Sequence, residues 1–196
     1  MPQEAPEAFT DAVVEADRLP TALSSAAGPR EAAEGQVRRG QGMAEFEVAT
    51  GAAELPGGDE RRREAAVRTA FEGLLQIRRL MNAGATDPEG VPAEWERRQP
   101  VRAVALALEA AGVPPSAVDA EGRRTATGYC LGAAERAGVV RVEWLGPPGS
   151  GAGYAAEDAL RNCADVLRRL GWDALEYRGP RRHRYLEVEP PPGGGG

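Results

Sequence analysis

Two short segments near the carboxyl terminus carry residue types that could do chemistry. Residues 151–156 read Gly-Ala-Gly-Tyr-Ala-Ala. This matches the G-x-G-x-x-A pattern of loops that hold a dinucleotide pyrophosphate at a helix N-terminus. The chain's one histidine, His183, lies in an arginine-rich stretch with Arg181, Arg182 and Arg184. The two segments therefore suggest two kinds of site: one that binds a dinucleotide, and one that catalyses hydrolysis with the histidine.

Neither segment is a complete motif. The extra residues GPPGS before Gly151 make the turn loose, and few residues follow for the rest of a doubly wound sheet. A flexible loop is the favoured interpretation, with a small anion at the Gly153 amide as an alternative. The sequence has no second histidine that could form a site with His183. It also has no segment that resembles the nucleophile motif G-x-S-x-G. We therefore predict no catalytic residue, no metal ligand and no cofactor. The sequence leaves enzymatic activity open and favours its absence.

The elements that position these segments lie in the carboxyl-terminal part of the chain. Alternating apolar residues and turn signals predict strands at 125–131 and 139–145. An amphipathic helix follows at 154–170. Strands at 172–178 and 183–188 are predicted to pair as a hairpin around the turn 179–182. The result is a ββαββ unit with one helix on one face of a mostly antiparallel sheet. Helix 100–111 is an alternative second helix on that face.

The preceding residues predict helices at 6–26, 29–50, 59–82 and 100–111, of which 59–82 has the clearest pattern. Residues 29–50 are compatible with one helix that is weak in its middle or with two short helices around Gly40–Gly42. Asp59 is its predicted N-cap. Its apolar stripe contains Val67, Ala70, Phe71, Leu74, Ile77, Leu80 and Met81. The short connection 54–58 favours an antiparallel pair with 29–50, and a dimerisation seam is the alternative. The predicted class is α+β. The predicted parts are a helical region of three or four helices (1–113), a ββαββ domain (123–189) and a disordered Pro/Gly tail (190–196).

Strand periodicity predicts two faces for the sheet. The face toward the helix is predicted to carry Val140, Val142, Trp144, Leu175, Tyr177, Leu186 and Val188. The other face is predicted to carry Tyr129, Arg141, Glu143, Glu176, Arg178, His183, Tyr185 and Glu187. The candidate binding residues are the aromatic and basic ones at this face and its adjacent turn: Tyr129, Arg141, Arg178, Arg181, Arg182, His183, Arg184 and Tyr185. A solvated face with ordinary cross-strand charge pairs is the competing interpretation.

Composition restricts the chemistry and the compartment. All 24 Lys and Arg positions are Arg, which excludes a lysine Schiff base and a P-loop lysine. The excess of Arg, Ala, Gly and Pro suggests a bacterial protein from a GC-rich genome. The two cysteines form no metal or redox pattern, and the acidic amino-terminal sequence lacks an apolar segment typical of a signal peptide. We expect a cytoplasmic protein that does not associate with membranes.

The charge is unevenly distributed along the chain, and three functional hypotheses are considered. The net charge is -6, yet residues 122–196 hold 11 Arg and 9 acidic residues, whereas residues 1–121 are strongly acidic. The first hypothesis is a non-catalytic binding or adaptor protein that uses the exposed sheet face, with a protein partner or self-association. The alternative is nucleic-acid binding through the Arg-rich hairpin, with or without RNase activity centred on His183. A third is a small-ligand enzyme that uses the Gly loop.

The segment 167–186 loosely resembles the helix–strand–His–strand stretch of HicA-type mRNA interferase toxins. The resemblance rests on the order LRRLG, a strand, a glycine turn and His183. The turn here is a residue longer, and the leading strands and the helical region differ. The resemblance therefore assigns no family.

Overall fold

The computed structural model describes residues 46–55, 57–180 and 183–191, which all lie in one unit, Gln41–Gly196. These residues form four helices and two antiparallel sheets, which confirms the predicted α+β class. The helices are α1 (Glu60–Met81), α2 (Glu94–Arg98), α3 (Pro100–Ala110) and α4 (Ala152–Arg169). The strands are β1 (Ala117–Val118), β2 (Arg124–Ala126), β3 (Gly128–Ala133), β4 (Val140–Leu145), β5 (Asp173–Arg178) and β6 (Arg184–Glu189).

Helix α1 begins as predicted and buries a narrower face than predicted. The Asp59 side chain accepts a hydrogen bond from the Arg61 N–H at 3.1 Å, so it caps the first turn. Val67 and Leu74 are buried, whereas Leu80 and Met81 are 69% and 65% exposed. The last turn instead buries a charged side chain, Arg78, which the apolar pattern does not reveal.

The segment before α1 corrects the predicted helix 29–50. Residues 46–50 are not helical, and residues 29–45 lie outside the described ranges, as does the predicted helix 6–26. Thr50 O accepts a hydrogen bond from Leu131 N at 2.8 Å, so this segment runs beside β3. A backbone bond to a strand edge satisfies the same groups that a helix would have satisfied internally.

Arg78 and Glu96 form a buried ion pair that joins α1 to α2. Their side chains are 1% and 0% exposed. Arg78 also donates to the carbonyls of Glu89 at 2.5 Å and Leu170 at 2.7 Å. Glu96 accepts a further bond from Ala93 N at 2.9 Å. Because the two charges are paired and further hydrogen-bonded, the pair can remain buried without an unsatisfied charge.

The main sheet has the strand order β3-β4-β6-β5, with antiparallel neighbours throughout. Helix α4 packs against it through Leu160, Cys163 and Leu167, and α3 contributes Val104 and Leu108 to the same core. The alternative in which helix 100–111 shares the sheet face with α4 therefore matches the structure. The division into a helical region (1–113) and a ββαββ domain (123–189) remains a prediction, and residues 192–196 of the predicted tail lie outside the described ranges.

The predicted strand 125–131 is divided into β2 and β3, which belong to different sheets. β2 pairs with β1, while β3 pairs with β4. At the start of β3, a Cβ on Gly128 would lie 2.1 Å from Pro114 O. The close approach of residues 114–115 thus requires glycine at this position.

The hairpin of β5 and β6 has a register one residue away from the predicted one. A turn of residues 179–182 would set Arg178 opposite His183. In the structure Gly179 N donates to His183 O at 2.7 Å, and Arg178 lies opposite Arg184. Side chains alternate between faces along a strand, so this shift moves every β5 side chain to the other face.

The two edges of the sheet differ in their surroundings. Along β3, Ser116 N donates to Tyr129 O at 2.8 Å, and Tyr129 N donates to Pro114 O at 3.0 Å. Residues 50 and 114–116 therefore cover that edge. Within the described residues, β5 pairs only with β6. No helix in the part of the chain that the structure describes has the length and apolar character to cross a membrane.

Candidate binding face of the sheet

The sheet has an inner face, covered by α3 and α4, and an outer face opposite. The strand registers align Arg141 with Glu187, Glu143 with Tyr185, and Tyr177 with Tyr185. We define the outer face by the side chains of this alternation together with the adjacent histidine: Arg141, Glu143, Leu175, Tyr177, His183, Tyr185 and Glu187. Its members are intermediate or exposed, whereas Val140, Val142, Leu186 and Val188 of the alternate set in β4 and β6 are buried and Trp144 is half-buried.

Aromatic rings form a column at the centre of the outer face. The rings of Tyr177 and Tyr185 are stacked, with centroids 5.6 Å apart and an interplanar angle of 15°. The imidazole of His183 lies 6.3 Å from the Tyr185 ring at 24°. The guanidinium carbon of Arg141 lies 3.8 Å from the Tyr185 centroid, within the range of a cation–π interaction. Tyr185 therefore links the other three side chains.

Carboxylates are interleaved with these groups. Glu143 Oε1 lies 2.6 Å from His183 Nε2 and 3.3 Å from Arg141 Nε. At the other end of β6, Arg136 lies 3.1 Å from Glu189 and 3.8 Å from Glu187. The basic groups on this side thus have acidic neighbours, so its field is mixed in sign rather than positive. Such a face attracts phosphate less than an uncompensated arginine cluster would.

Three of the eight predicted binding residues come together on the outer face: Arg141, His183 and Tyr185. Arg184 lies on the inner side, where it bonds to Glu176 and, at 2.5 Å, to Glu157 of α4. The prediction for Arg178 is wrong: the register shift of β5 sets it opposite Arg184, on the inner side rather than on the outer face, and it is exposed at the hairpin end. Arg181 and Arg182 lie outside the described residues.

Tyr129 corrects the prediction of an exposed aromatic ring. Its side chain is 0% exposed and lies in the core. The hydroxyl donates to Ala49 O at 2.9 Å, and burial raises the pKa of the phenol above its ordinary value. Tyr129 lies opposite Trp144, on the inner face. The reason is that residues 114–116 and 49–50 cover this edge, which strand periodicity alone does not show.

Leu175 and Tyr177 are the residues of the outer face that the sequence prediction placed on the wrong side. They are 51% and 37% exposed, whereas Ala174 is buried. The small Ala174 side chain lies between α4 and the sheet, where the larger Leu175 was expected. The register sets Ala174, not Leu175, opposite the core residue Val188, and no signal in the sequence of the turn specifies that register.

The Gly loop has the predicted local context, a strand before it and a helix after it, but the described strands lack the parallel sheet that a dinucleotide site requires. Gly151 precedes α4 with a φ of 73°, and α4 begins at Ala152 after strand β4. Both neighbours of β4 are antiparallel, as expected, so the parallel switch point of a dinucleotide fold is not formed there. Among residues 46–55, 57–180 and 183–191, no group of three or more His, Cys, Asp or Glu could hold a metal ion.

Comparison of the chain with protein-family models, with curated proteins and with solved structures found no match. The outer face is therefore interpreted from its own geometry.

Proposed function

We propose that this chain is a cytoplasmic, non-catalytic binding or adaptor protein whose outer face contacts a protein partner. The observation that carries the proposal is the cluster of Arg141, Tyr177, His183 and Tyr185 on the outer face, which no described helix or strand covers. Tyrosine and arginine are enriched in protein interfaces and among the residues that dominate their energy. The free and buried state of Cys130 and Cys163 is in keeping with a reducing compartment.

The rigidity of the cluster supports binding. Tyr185 is held by stacking on Tyr177 and by the guanidinium of Arg141. Side chains that already have one conformation lose little entropy on association, so more of their contact energy appears as affinity. The exposed Leu175 extends the cluster with apolar surface along β5. Together these groups provide an apolar and aromatic centre with a charged periphery, which is the usual composition of a protein interface.

The test is affinity capture from an extract of the source cells with cross-linking. The wild-type protein is compared with Tyr185→Ala, which removes the centre of the cluster, and with Arg68→Ala, an exposed change on α1. We expect one set of cross-linked partners with wild type and Arg68→Ala, and its loss with Tyr185→Ala. Equal capture by all three proteins would remove the outer face from the interaction.

Nucleic-acid binding is the second candidate function. The stacked Tyr177 and Tyr185 rings with His183 beside them favour it, because unpaired bases stack on aromatic side chains. The carboxylates of Glu143 and Glu187 oppose it. Binding of the intact protein to mixed RNA and DNA over a salt series decides between the two. Binding that weakens steeply with salt would replace the protein-partner proposal, and RNA cleavage lost in His183→Ala would establish the RNase form.

A further inference from the structure

The outer edge of β5 presents backbone groups that pair with nothing in β6. In an antiparallel ladder, hydrogen-bonded and non-hydrogen-bonded pairs alternate. Gly179 N bonds to His183 O, so the pairs 177/185, 175/187 and 173/189 are the hydrogen-bonded ones. The backbone groups of Ala174, Glu176 and Arg178 therefore point away from β6. Arg168 Nη2 occupies the Ala174 carbonyl at 2.5 Å, and the outward backbone groups of Glu176 and Arg178 have no hydrogen-bond partner among the described residues.

We infer that two copies of this chain associate by antiparallel pairing of β5 with β5, with Tyr177 opposite Tyr177 of the second copy. The pairing would join two four-stranded sheets into one sheet. This inference goes beyond the proposed function, because it uses the sheet edge rather than the outer face and names the partner as a second copy.

Charge selects this register from those that use the outward backbone groups. With Tyr177 on the two-fold axis, Glu176 of each copy lies opposite Arg178 of the other. A register centred on Glu176 sets two carboxylates face to face. A register centred on Leu175 sets Glu176 opposite Ala174 and moves Arg178 beyond the strand. Opposite charges directly across an antiparallel pair are favourable and like charges are unfavourable, so β5 is self-complementary in one register.

A second copy also resolves a like-charge contact inside the hairpin. Arg178 lies directly opposite Arg184, and Arg178 forms no ion pair with the other described residues. Glu176 of the second copy would bring a carboxylate to Arg178. Glu176 already bonds to Arg184 of its own chain, and Arg184 also bonds to Glu157, so the paired edges would join four acids and four arginines in one network.

The interface is small, since β5 has 6 residues. Interfaces below about 1,000 Å² are usually weak or transient, so a reversible association that depends on concentration is expected. Sedimentation velocity of the full chain over roughly a hundredfold range of concentration measures it. The wild-type protein is expected to shift from monomer to dimer across that range. A monomer throughout would overturn the inference.

Charge reversal tests the register. Arg178→Glu places a new carboxylate opposite Glu176 of the other copy at both ends of the paired strands. It should raise the dissociation constant of the dimer at least about tenfold. Its fold should remain intact, because the new carboxylate faces Arg184 of the same chain. Glu176→Arg should weaken self-association similarly, and an equimolar mixture of the two variants should dimerise, since every cross-copy pair is again of opposite sign. Arg68→Glu on α1 is the matched charge control. If Arg178→Glu dimerises like wild type, or the mixture stays monomeric, the register is wrong.

Disulfide trapping provides a readout that does not depend on affinity. The Cα atoms of the two Tyr177 residues would be about 4.5 Å apart, within the range of a disulfide. Those of the two Leu175 residues, on the same face, would be roughly 13 Å apart along the strands. Tyr177→Cys should therefore form an oxidised dimer and Leu175→Cys should not. Equal trapping would overturn the register. The Arg178→Glu variant separates this inference from the proposed function. Tyr185 is unchanged in it, so it should still capture the protein partner although its self-association is weakened.

Discussion

Arg78 and Glu96 face each other with two parallel hydrogen bonds, Nε to Oε1 at 2.7 Å and Nη2 to Oε2 at 2.6 Å. The pair lies where α1, α2 and the end of α4 meet, because Arg78 also reaches Leu170 O. One charged pair thus connects three helices that are separate in the sequence.

Removal of one member of this pair should be strongly destabilising. Glu96→Ala leaves the Arg78 guanidinium buried without its carboxylate, which typically costs about 3–5 kcal/mol in the free energy of unfolding. Glu94→Ala, two positions earlier on α2, removes an exposed carboxylate paired with Arg98 and should change stability by less than about 1 kcal/mol. Urea unfolding of both variants measures the difference. Similar losses would show that the buried pair has no special role.

Two glycines of β3 should respond differently to alanine. A Cβ on Gly128 would meet Pro114 O at 2.1 Å and Pro115 C at 2.4 Å, whereas one on Gly132 would meet nothing within 4 Å. Gly128→Ala forces backbone movement and should cost about 1–3 kcal/mol. Gly132→Ala should be neutral or slightly stabilising, because it reduces the freedom of the unfolded chain. Thermal unfolding distinguishes them, and equal midpoints would contradict the close approach of residues 114–115.

Cys163 should make the protein sensitive to alkali. Burial raises the pKa of its thiol from 9.0 to about 12. A folded-state pKa above the unfolded value gives stability that is complete below pH 9 and is lost as the pH rises toward 12. This group alone should lower the free energy of unfolding by up to about 1.4 kcal/mol per pH unit in that window.

The measurement is the pH dependence of urea unfolding for wild type and Cys163→Ala. The smaller side chain of the variant reduces core packing at every pH. The comparison is therefore of the slope of the free energy of unfolding against pH, not of its absolute value. We expect a shallower alkaline decline in the variant. Tyr129, whose pKa is also raised, is unchanged in both proteins and contributes equally to both slopes. Parallel curves would mean that the thiol ionises freely in the folded state.

Arg141 and Tyr185 should be energetically coupled. The guanidinium lies 3.8 Å from the ring centroid at a partly exposed site, where such contacts contribute about 0.5–1 kcal/mol. A double-mutant cycle with Arg141→Met and Tyr185→Leu isolates this energy from the Arg141–Glu143 bond, because Arg141→Met removes that bond both in the wild-type protein and in the Tyr185→Leu variant. Arg141 with Tyr177→Leu is the matched control cycle. Coupling that is no larger in the first cycle than in the second would remove the contact as an organising feature of the outer face.

Local patterns predicted the elements better than they predicted their faces. The apolar alternation of β4 and the amphipathic pattern of α4 reflect burial along one element, and both elements are present. The face of β5 depends on whether the hairpin loop has three or four residues, and a single residue reverses it. The sequence GPRR is compatible with either length, so Tyr177 could not be placed from it.

Long-range contacts account for the remaining errors. Tyr129 is of a residue type that is common at exposed strand positions. The carbonyls near its hydroxyl belong to Ala49 and Ala105, which are 80 and 24 positions away in the sequence. Arg78 interrupts an apolar stripe, yet it is buried because Glu96 and two carbonyls receive its donors. Such positions are decided by tertiary contacts, and hydrophobic periodicity contains no information about them.

The bond from Arg78 to the carbonyl of Leu170 has a consequence for the order of events during synthesis. The two residues are 92 positions apart, whereas Arg78 and Glu96 are 18 apart. The chain is made from its amino terminus, so α1 and α2 leave the ribosome well before Leu170 does. Arg78 can meet Glu96 early, but its last acceptor arrives only after α4 is complete. The donor of Arg78 that bonds to Leu170 O therefore has no acceptor from this position until residue 170 has been synthesised.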